Sequence, residues 1–440
     1  MSENCIAAIS TAPATGGVAI IRISGSGALS VAEKIFVPVR AVRVADFAPN
    51  YMYPGKILCR GFADFGLCVY FKAPHSFTGE DVVELHCHGG VQIARAVLKA
   101  TLENGARMAE NGEFTKRAFL NGKLSLASAE GMADMINASS LAEVRAGAML
   151  YAEKLTNQVK KLQSSLKDIL AGIAADIDYP EEDVAATRLP DVRGSISDID
   201  GAVCRMINSY GIGKKIKNGV TCALCGAPNV GKSSLLNALL GYDKAIVSPR
   251  AGTTRDAVEG SIEIDGITYN LVDTAGIREK ADEIEEIGIS IAKKVMQSAD
   301  VIVYVCEGAY VPLEGVDEDD ERLIKVFNKC DISPAASPEF DVMISARTGE
   351  NIDKLKQLMA RKAVGGASSD GAFIIEERHR EALVRADQSL KSAIAAVGVY
   401  PLDIISLDIS AAWSALGEIT GETANEQIID TVFKKFCVGK

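Results

Sequence analysis

Nine residues near the middle of the chain have the types and spacing of a phosphate-binding loop. The segment 226–234 contains a glycine, four intervening residues, and then glycine, lysine and two serines. Its glycines let backbone N–H groups turn inward around phosphates, Lys232 can reach the outer phosphates, and the Ser233 hydroxyl can bind magnesium. These features predict a nucleotide site at which a helix N-terminus faces the anion.

Two later segments carry groups suited to magnesium and to the terminal phosphate. The segment 252–256 contains Thr254, which can complete the magnesium shell. The segment 273–276 begins with Asp273, whose carboxylate can hold magnesium through water, and it ends with a glycine whose amide can sense a γ-phosphate. Both follow the phosphate-binding loop in the order typical of GTPases.

The base is expected to lie against two further segments. In the segment 328–331, Asp331 offers a carboxylate to N1–H and the exocyclic amine of guanine, and adenine has neither donor. Ser345 and Ala346 follow an apolar run and can close over the base. Five elements in this order predict a GTPase domain. The predicted GTP contacts are Asn229, Val230, Gly231, Lys232, Ser233, Ser234, Asp273, Thr274, Ala275, Gly276, Asn328, Lys329, Asp331, Ser345, Ala346 and Arg347.

The elements that must position these groups are short apolar runs that predict β-strands. The runs 220–224, 267–272, 326–327 and 342–344 each end where a motif begins, and 235–240 predicts the helix after the phosphate-binding loop. The domain is therefore predicted to be a Ras-like P-loop GTPase with its binding groups at strand ends.

Length and composition predict a multidomain protein of ordinary globular type. The 440 residues suit two to four domains, with 48% hydrophobic and 24% charged residues. The net charge of −11 argues against wholesale electrostatic binding of nucleic acid, so RNA contacts are expected to be local. The ten cysteines are scattered, and neither a leader nor a membrane-spanning apolar run is recognisable, which predicts a cytoplasmic protein without membrane contact.

Before and after the GTPase motifs the chain changes character. Residues 1–118 mix strand candidates at 18–23 and 82–88 with a helix at 92–102, which predicts a small α/β domain. Further on, apolar residues recur at steps of three and four, which predicts one face of a long helix that ends before Pro180. These residues are Leu155, Val159, Leu162, Leu166, Ile169, Ile173 and Ile177.

Helical signals return after the GTPase motifs and continue to the end of the chain. We therefore predict a helical domain, 119–212 and 366–440, into which the GTPase domain 213–365 is inserted. The predicted fold class is α/β plus all-α: an N-terminal α/β domain, a helical domain and an inserted P-loop GTPase.

Two positions depart from the Ras-like pattern of catalysis. Ras-like enzymes position the attacking water with a glutamine where this chain has Ile277, which cannot hydrogen-bond water. Another acid must act, and Glu285 is the favoured candidate among the acids in 278–286, although composition alone favours a solvated acidic turn for the run 282–286. Asn229 can bind a monovalent cation against the phosphates, in the electrostatic role of an arginine finger.

Six segments along the chain carry a further set of motifs: Phe77 to Leu85, Gly112 to Phe114, Arg117 to Asn121, Asp273 to Glu279, Ser345 to Glu350 and Phe436 to Lys440. Together they resemble the MnmE (TrmE) family of tRNA-modification GTPases, and the terminal Cys-x-Gly-Lys is specific to that family among GTPases. A minor departure is Cys306-Glu307-Gly308, where an aspartate-glycine pair is commoner.

The resemblance implies a mechanism that the residues alone do not establish. It implies a folate-binding and dimerising N-terminal domain, a potassium-activated G domain, and an FAD-dependent partner, MnmG. The homodimer and this partner would install an aminomethyl-type group on C5 of the wobble uridine of certain tRNAs, using 5-formyl- or 5,10-methylene-tetrahydrofolate. GTP and magnesium would serve hydrolysis.

The resemblance also implies roles for particular residues. Glu285 falls on the water-positioning glutamate. Folate contacts fall on Arg22, Glu84, Lys123 and the terminal Lys440. The potassium ligands fall on Asn229 and on backbone carbonyls of the following loop, at Ser248, Arg250 and Thr253.

Three groups of cysteines and histidines could indicate metal binding or thiol chemistry. Cys222 and Cys225 have zinc-like spacing, but without a second pair nearby they are predicted to be buried strand residues. His86 and His88 share a strand face and are predicted to be structural. Cys437 is predicted to be a reactive or substrate-proximal thiol at a mobile terminus, beside Lys434, Lys435 and Lys440.

A regulatory GTPase that switches the assembly of ribosomes or another complex is the alternative function. Such a protein would share Asn229 but would need neither the N-terminal domain nor the terminal tetrapeptide. A folate-dependent transferase acting alone is disfavoured, because the chain has no Gly-x-Gly-x-x-Gly flavin fingerprint.

Overall fold

The computed structural model describes seven stretches of the chain. They are residues 5–178, 189–242, 260–273, 294–312, 316–332, 339–364 and 376–439. The chain divides into two compact units that are each built from separate segments. The first unit comprises Met1–Ala133, Met149–Ile196 and Gln388–Lys440, and the second comprises Asp134–Ala148 and Ser197–Asp387.

A seven-stranded sheet forms the N-terminal part of the first unit. Its strands are β1 (Ile6–Ile9), β2 (Val18–Ser24), β3 (Phe36–Pro38), β4 (Met52–Cys59), β5 (Phe62–Phe71), β6 (Val82–His88) and β7 (Arg107–Met108). Their order is β3-β4-β5-β6-β2-β1-β7, and every neighbouring pair is antiparallel except β1 and β7. The predicted strands 18–23 and 82–88 are confirmed.

Alternation of side chains places a core on one face of this sheet. Along β4, exposed and buried residues alternate, as expected of a strand with one face in the core. Helices α1 (Ala28–Ile35) and α2 (Val91–Glu103) contribute to that core, which includes Ile21, Ile57 and Val97. The opposite face is therefore left for polar side chains of β2 and β6.

The helical elements occupy the middle and the end of the chain. They are α3 (Glu113–Leu120), α4 (Leu126–Asn137), α5 (Leu141–Tyr151), α6 (Lys154–Asp178), α7 (Leu189–Asn218), α8 (Lys232–Tyr242), α9 (Ile352–Val364), α10 (Glu377–Ala396), α11 (Leu402–Thr420) and α12 (Glu426–Lys434). The predicted long helix is α6, which buries Leu155, Val159, Leu166 and Ile173. Within the described ranges, no helix combines the length and apolar character needed to cross a membrane.

A six-stranded sheet forms the centre of the second unit. Its strands are β8 (Val220–Cys225), β9 (Gly260–Ile264), β10 (Ile267–Asp273), β11 (Val301–Cys306), β12 (Leu323–Phe327) and β13 (Val342–Met343). Their order is β13-β12-β11-β8-β10-β9, and only the β9–β10 pair is antiparallel. All six residues of β11 are buried, as expected of a central parallel strand.

The second unit extends beyond the predicted GTPase segment 213–365. Ile212 and Ile216, near the end of α7, and Ala146 of α5 pack against the core of the six-stranded sheet. Apolar side chains of α5 and α7 thus pack against the core of the GTPase segment. The second compact unit therefore includes parts of these two helices.

Candidate functional site

The phosphate-binding loop follows β8, at the carboxyl ends of the parallel strands. Gly231 has a φ of 95°, and a Cβ there would lie 2.4 Å from Nδ2 of Asn328. Lys232 begins α8, is 5% exposed, and donates from Nζ to the carbonyls of Gly226 at 2.9 Å and Ala227 at 2.7 Å. The loop thus curls around the ammonium of Lys232, which is the positive charge that this site would offer to a phosphate.

Two oxygen ligands suited to magnesium meet beside the loop. Ser233 Oγ donates to Asp273 Oδ2 at 3.4 Å, and Asp273 ends β10 opposite Leu224 of β8. Asp273 is only 2% exposed. A hydroxyl and a carboxylate are hard oxygen donors of the kind that magnesium prefers, so the residues present fit the ion.

The base-recognition groups meet at the carboxyl ends of β12 and β13. Ser345 Oγ donates to Asp331 Oδ1 at 2.7 Å, and Arg347 donates to the other carboxylate oxygen at 2.5 Å. These hydrogen bonds, from Ser345 first and then Arg347, hold the pKa of Asp331 below its usual range. Asp331 is therefore an acceptor-only carboxylate at neutral pH, as recognition of two guanine donors requires.

Asn328 ties the base-recognition segment to the phosphate-binding loop. Its Nδ2 donates to the carbonyl of Val230 at 2.9 Å, and its Oδ1 accepts from the backbone N–H of Ala346 at 3.0 Å. Three of the predicted motifs are therefore joined through one buried side chain. Asn229, with a φ of 63°, directs its own carbonyl towards the ammonium of Lys329, at 3.3 Å.

Several predicted site residues lie outside the described residues, so their positions stay predictions. They are Ser248, Arg250, Thr253, Thr254, Thr274, Ala275, Gly276, Glu285 and Lys440.

A charged cluster lies on the polar face of the N-terminal sheet. Arg22 of β2 and Glu84 of β6 are register partners, and Arg22 Nε donates to Glu84 Oε1 at 2.8 Å. His86 Nε2 lies 3.3 Å from the other carboxylate oxygen of Glu84. Burial raises the pKa of Glu84, but the hydrogen bond from His86 and the charge of Arg22 outweigh it and keep this pKa below its ordinary value.

Lys123, the third predicted folate residue among the described ones, belongs to the same compact unit as this cluster. Lys123 Nζ donates to the carbonyl of Pro74 at 3.0 Å, and its side chain lines Gly79. The ring of Phe77, two residues before that glycine, lies 5.5 Å from the guanidinium of Arg22. The segment 77–79 thus connects the surroundings of Arg22 to those of Lys123.

A chain of ion pairs that was not predicted from the sequence links β7, α3 and Glu80 in the same domain. Arg117 donates to Glu80 at 2.9 Å and to Glu113 at 2.9 Å, and Arg107 donates to Glu113 at 2.8 Å. Burial raises the pKa of Glu113, but the two arginines and a backbone N–H outweigh it and lower this pKa to about 2. Glu80 and Arg117 both lie in the motifs that carry the family resemblance, but nothing in the spacing of these motifs indicated that the two residues pair.

The C-terminal tail is held in place, and the prediction of a mobile terminus is wrong for residues 437–439. Ser10 Oγ donates to the Gly439 carbonyl at 3.1 Å, and Asn111 forms an isolated bridge with Val438. Gly439 has a φ of 97°, and a Cβ there would lie 2.2 Å from the Ile9 carbonyl oxygen. Cys437 itself is exposed, as predicted.

The remaining cysteines and histidines of interest have structural surroundings. Cys222 and Cys225 are buried in β8, as predicted, and burial raises the pKa of the Cys222 thiol. His86 contacts Glu84, and His88 Nδ1 lies 2.6 Å from Asp64, which agrees with structural histidines. Across the described ranges, the one group of potential metal ligands that lie close together contains no histidine. It consists of Asp200, Cys204 and Asp387.

Comparison with protein-family models covers almost the whole chain. Residues 5–123 match the N-terminus of the GTP-binding protein TrmE, and residues 126–437 match the MnmE helical domain. Both matches agree with the predicted N-terminal α/β domain and helical domain. The predicted α/β plus all-α fold class is confirmed.

Curated proteins match over their full length. Proteins named tRNA modification GTPase MnmE from Neisseria meningitidis serogroup A, Moorella thermoacetica and Symbiobacterium thermophilum are 39%, 38% and 37% identical to this chain, and each match covers 100% of both proteins.

Among solved structures, the G domain of the T. maritima FeoB iron transporter is 27% identical and covers 33% of this chain and 98% of its own, with a TM-score of 0.25. So low a score adds nothing to the assignment, which rests on the matched models and relatives. On that evidence, the chain belongs to the MnmE (TrmE) family of tRNA-modification GTPases.

Proposed function

We propose that this chain is a potassium-activated GTPase that modifies C5 of the wobble uridine of certain tRNAs to a carboxymethylaminomethyl-type group. It would act in the cytoplasm as a homodimer, together with the FAD-dependent partner MnmG. The observation that carries the proposal is the match, over 100% of both chains, to relatives named tRNA modification GTPase. The joined nucleotide motifs of the second unit support its GTPase part.

Hydrolysis is assigned to residues around the phosphate-binding loop. Lys232 and the loop backbone would bind the phosphates, and Ser233 with Thr254 would hold magnesium, which supplies charge neutralisation when bound. Glu285 would position the attacking water, because Ile277 has no group that can do so. Asn229, with carbonyls of the loop 248–253, would bind potassium against the phosphates.

Potassium activation is tested by hydrolysis rates of the full chain in potassium and in sodium. We expect the rate to be much higher in potassium, and Asn229→Ala to remove the difference between the salts. Glu285→Ala should retain GTP affinity while turnover falls by about 100-fold or more, in line with other water-positioning groups. Equal wild-type rates in both salts would refute the potassium site without affecting the GTPase assignment.

The N-terminal charged cluster supports the folate part of the proposal. Tetrahydrofolate has a pterin edge rich in N–H donors and a glutamate tail with carboxylates. The ionised Glu84 suits the pterin donors, and Arg22, Lys123 and the terminal Lys440 suit carboxylates or ring carbonyls. Calorimetry with 5-formyl-tetrahydrofolate should show binding that Glu84→Ala abolishes. Glu103→Ala, an exposed acid on α2, is the matched control and should bind as wild type.

Cys437 is assigned a role next to the substrate, because its thiol is exposed while its own backbone carbonyl and the two residues after it are held to the N-terminal domain. Mass spectrometry of wobble uridines tests this role and the proposal as a whole. A strain lacking the protein should lose the modified uridine, and Cys437→Ser should not restore it although GTP hydrolysis persists. Cys59→Ser serves as the control and should restore modification.

The same experiment separates the regulatory alternative. A GTPase that only switches complex assembly would leave wobble uridines unchanged in the deletion strain. Normal uridines there would therefore overturn the modification role and leave nucleotide hydrolysis as the activity to explain.

A further inference from the structure

Glu307 stands at the point where the phosphate-binding loop and the base-recognition segment approach each other. It directly follows β11, whose neighbours in the sheet are β8 and β12. The phosphate-binding loop follows β8, and Asn328 and Lys329 follow β12. Because the three strands are parallel, all three connections leave the sheet at the same edge.

Lys329 crosses from one of these segments to the other. Its backbone has a φ of 65°, which is uncommon for a residue other than glycine. Its Nζ donates to the Asn229 carbonyl at 3.3 Å and forms an ion pair with the carboxylate of Glu307. Glu307 and the phosphate-binding loop therefore share one ammonium group.

A nucleotide bound by both segments must run beside the Lys329 side chain. Its phosphates would lie in the loop 226–232 and its base against Asp331, and Lys329 spans the space between them. The alkyl stem of a lysine can cover the apolar face of a base while its ammonium stays among polar groups. The contacts that hold the Lys329 ammonium therefore determine where its alkyl stem lies relative to a bound base.

We infer that Glu307 is a positioning residue for guanine nucleotides, which holds Lys329 Nζ against the Asn229 carbonyl and so keeps the base-recognition segment and the phosphate-binding loop in one arrangement. The inference rests on the nucleotide site of the proposed function and needs neither folate nor tRNA. The Glu307 carboxylate reaches Lys329 directly from the residue after β11.

An ordinary surface ion pair is the competing explanation. Lys329 and Glu307 are 34% and 44% exposed at their side chains, and exposed pairs contribute little to stability. The two explanations differ in what is lost when Glu307 is truncated. A surface pair has no bearing on nucleotide affinity, whereas a positioning residue acts on it through Lys329 alone.

A double-mutant cycle on the full-length protein tests the inference, with the dissociation constant of a fluorescent GDP analogue as the measurement. We expect Glu307→Ala to weaken GDP binding by about fivefold, the size of a well-ordered, partly exposed ion pair. In the Lys329→Ala background, Glu307→Ala should have no further effect. Glu307→Gln, which keeps the shape and loses the charge, should behave like Glu307→Ala.

Kinetics and a control complete the test. For GTP hydrolysis, we expect KM to rise in Glu307→Ala with a much smaller change in kcat, and the melting temperature of the nucleotide-free protein to stay the same. The control is Glu321→Ala, an exposed acid just before β12 that should bind GDP as wild type does. An unchanged GDP affinity in Glu307→Ala, or an equal loss in the Lys329→Ala background, would overturn the inference. Tight GDP binding by the wild type verifies the nucleotide site itself in the same assay.

Discussion

The nucleotide site and the N-terminal charged cluster are built in different ways. In the nucleotide site, parallel strands end at one edge, and the groups that follow them lie in short contiguous segments such as 226–234 and 328–331. In the N-terminal cluster, the partners face one another across antiparallel strands, as Arg22 and Glu84 do from β2 and β6. The first site therefore depends on backbone conformation, and the second on side-chain pairing between segments far apart in the chain.

This contrast determines which substitutions are informative in each region. A substitution that restricts the backbone should weaken nucleotide binding most, because the phosphate-binding loop depends on glycine conformations and on the close approach of its backbone to neighbouring side chains. A change of charge should act most on the N-terminal region, where buried carboxylates are paired with arginines.

The largest effect is expected for Gly231→Ala in the phosphate-binding loop. The new Cβ would lie 2.4 Å from Asn328 Nδ2 at a φ of 95°, so both the loop conformation and the bond from Asn328 to Val230 are disturbed. We expect GTP affinity to fall on the order of 100-fold or more. Gly241→Ala near the end of α8, where a Cβ meets nothing within 4 Å, is the control for calorimetric titration.

Asp331→Asn should change which base is bound. The carboxylate of Asp331 is expected to accept hydrogen bonds from two guanine donors. The amide of asparagine would instead turn an N–H donor towards one of these guanine donors, and that pair cannot form a hydrogen bond. We expect GTP affinity to fall by about 10- to 100-fold, in line with hydrogen bonds to a charged group. Xanthosine triphosphate should bind better than GTP, because xanthine has a carbonyl where guanine has its amine. Competition between the two nucleotides measures this, and an unchanged preference for GTP would contradict the assignment.

Glu113→Gln should lower stability in the N-terminal region without affecting GDP binding. The charge-assisted bonds from Arg107 and Arg117 would be weakened, at a cost of about 2 kcal/mol in the free energy of unfolding. The folded pKa of Glu113, about 2, is below the ordinary 4.5. Its stabilisation is therefore present above pH 4.5 and is lost as pH falls towards 2. Melting curves of both proteins against pH should show a smaller acid loss in the variant.

Asp134→Asn should have the smallest effect, with the opposite dependence on pH. Burial first, and then the neighbouring carboxylate of Glu376, raise the pKa of Asp134 to about 6, although Lys217 donates to it at 2.8 Å. A raised carboxyl pKa costs stability as pH rises from 3.8 to 6. The variant should therefore melt slightly above wild type at neutral pH and equal it in acid. A lower melting temperature at neutral pH would show that the Lys217 contact outweighs the burial of charge.

Much of the second unit could be predicted because its apolar runs and its motifs each lie within a few consecutive residues. The apolar runs before the motifs are β8, β10, β12 and β13, and the predicted helix after the loop is α8. The GTPase motifs are contiguous because a strand end and the turn after it supply several ligands at once. The roles of residues beyond the described ranges, Glu285 and Lys440 among them, stay predictions.

Local sequence patterns were thus sufficient to predict the strands β2, β6, β8, β10, β12 and β13 and the long helix α6, since these depend on neighbours within a few positions. The contacts between distant segments are visible only in the folded chain: Glu80 pairs with Arg117, Glu307 pairs with Lys329, and the tail docks through Gly439 onto Ile9 and Ser10. The physical reason is that a side chain's type states which partner it needs, while the partner's identity depends on which distant segments the sheet brings within hydrogen-bonding distance. The number of residues between two side chains in the sequence does not predict the distance between them in the fold.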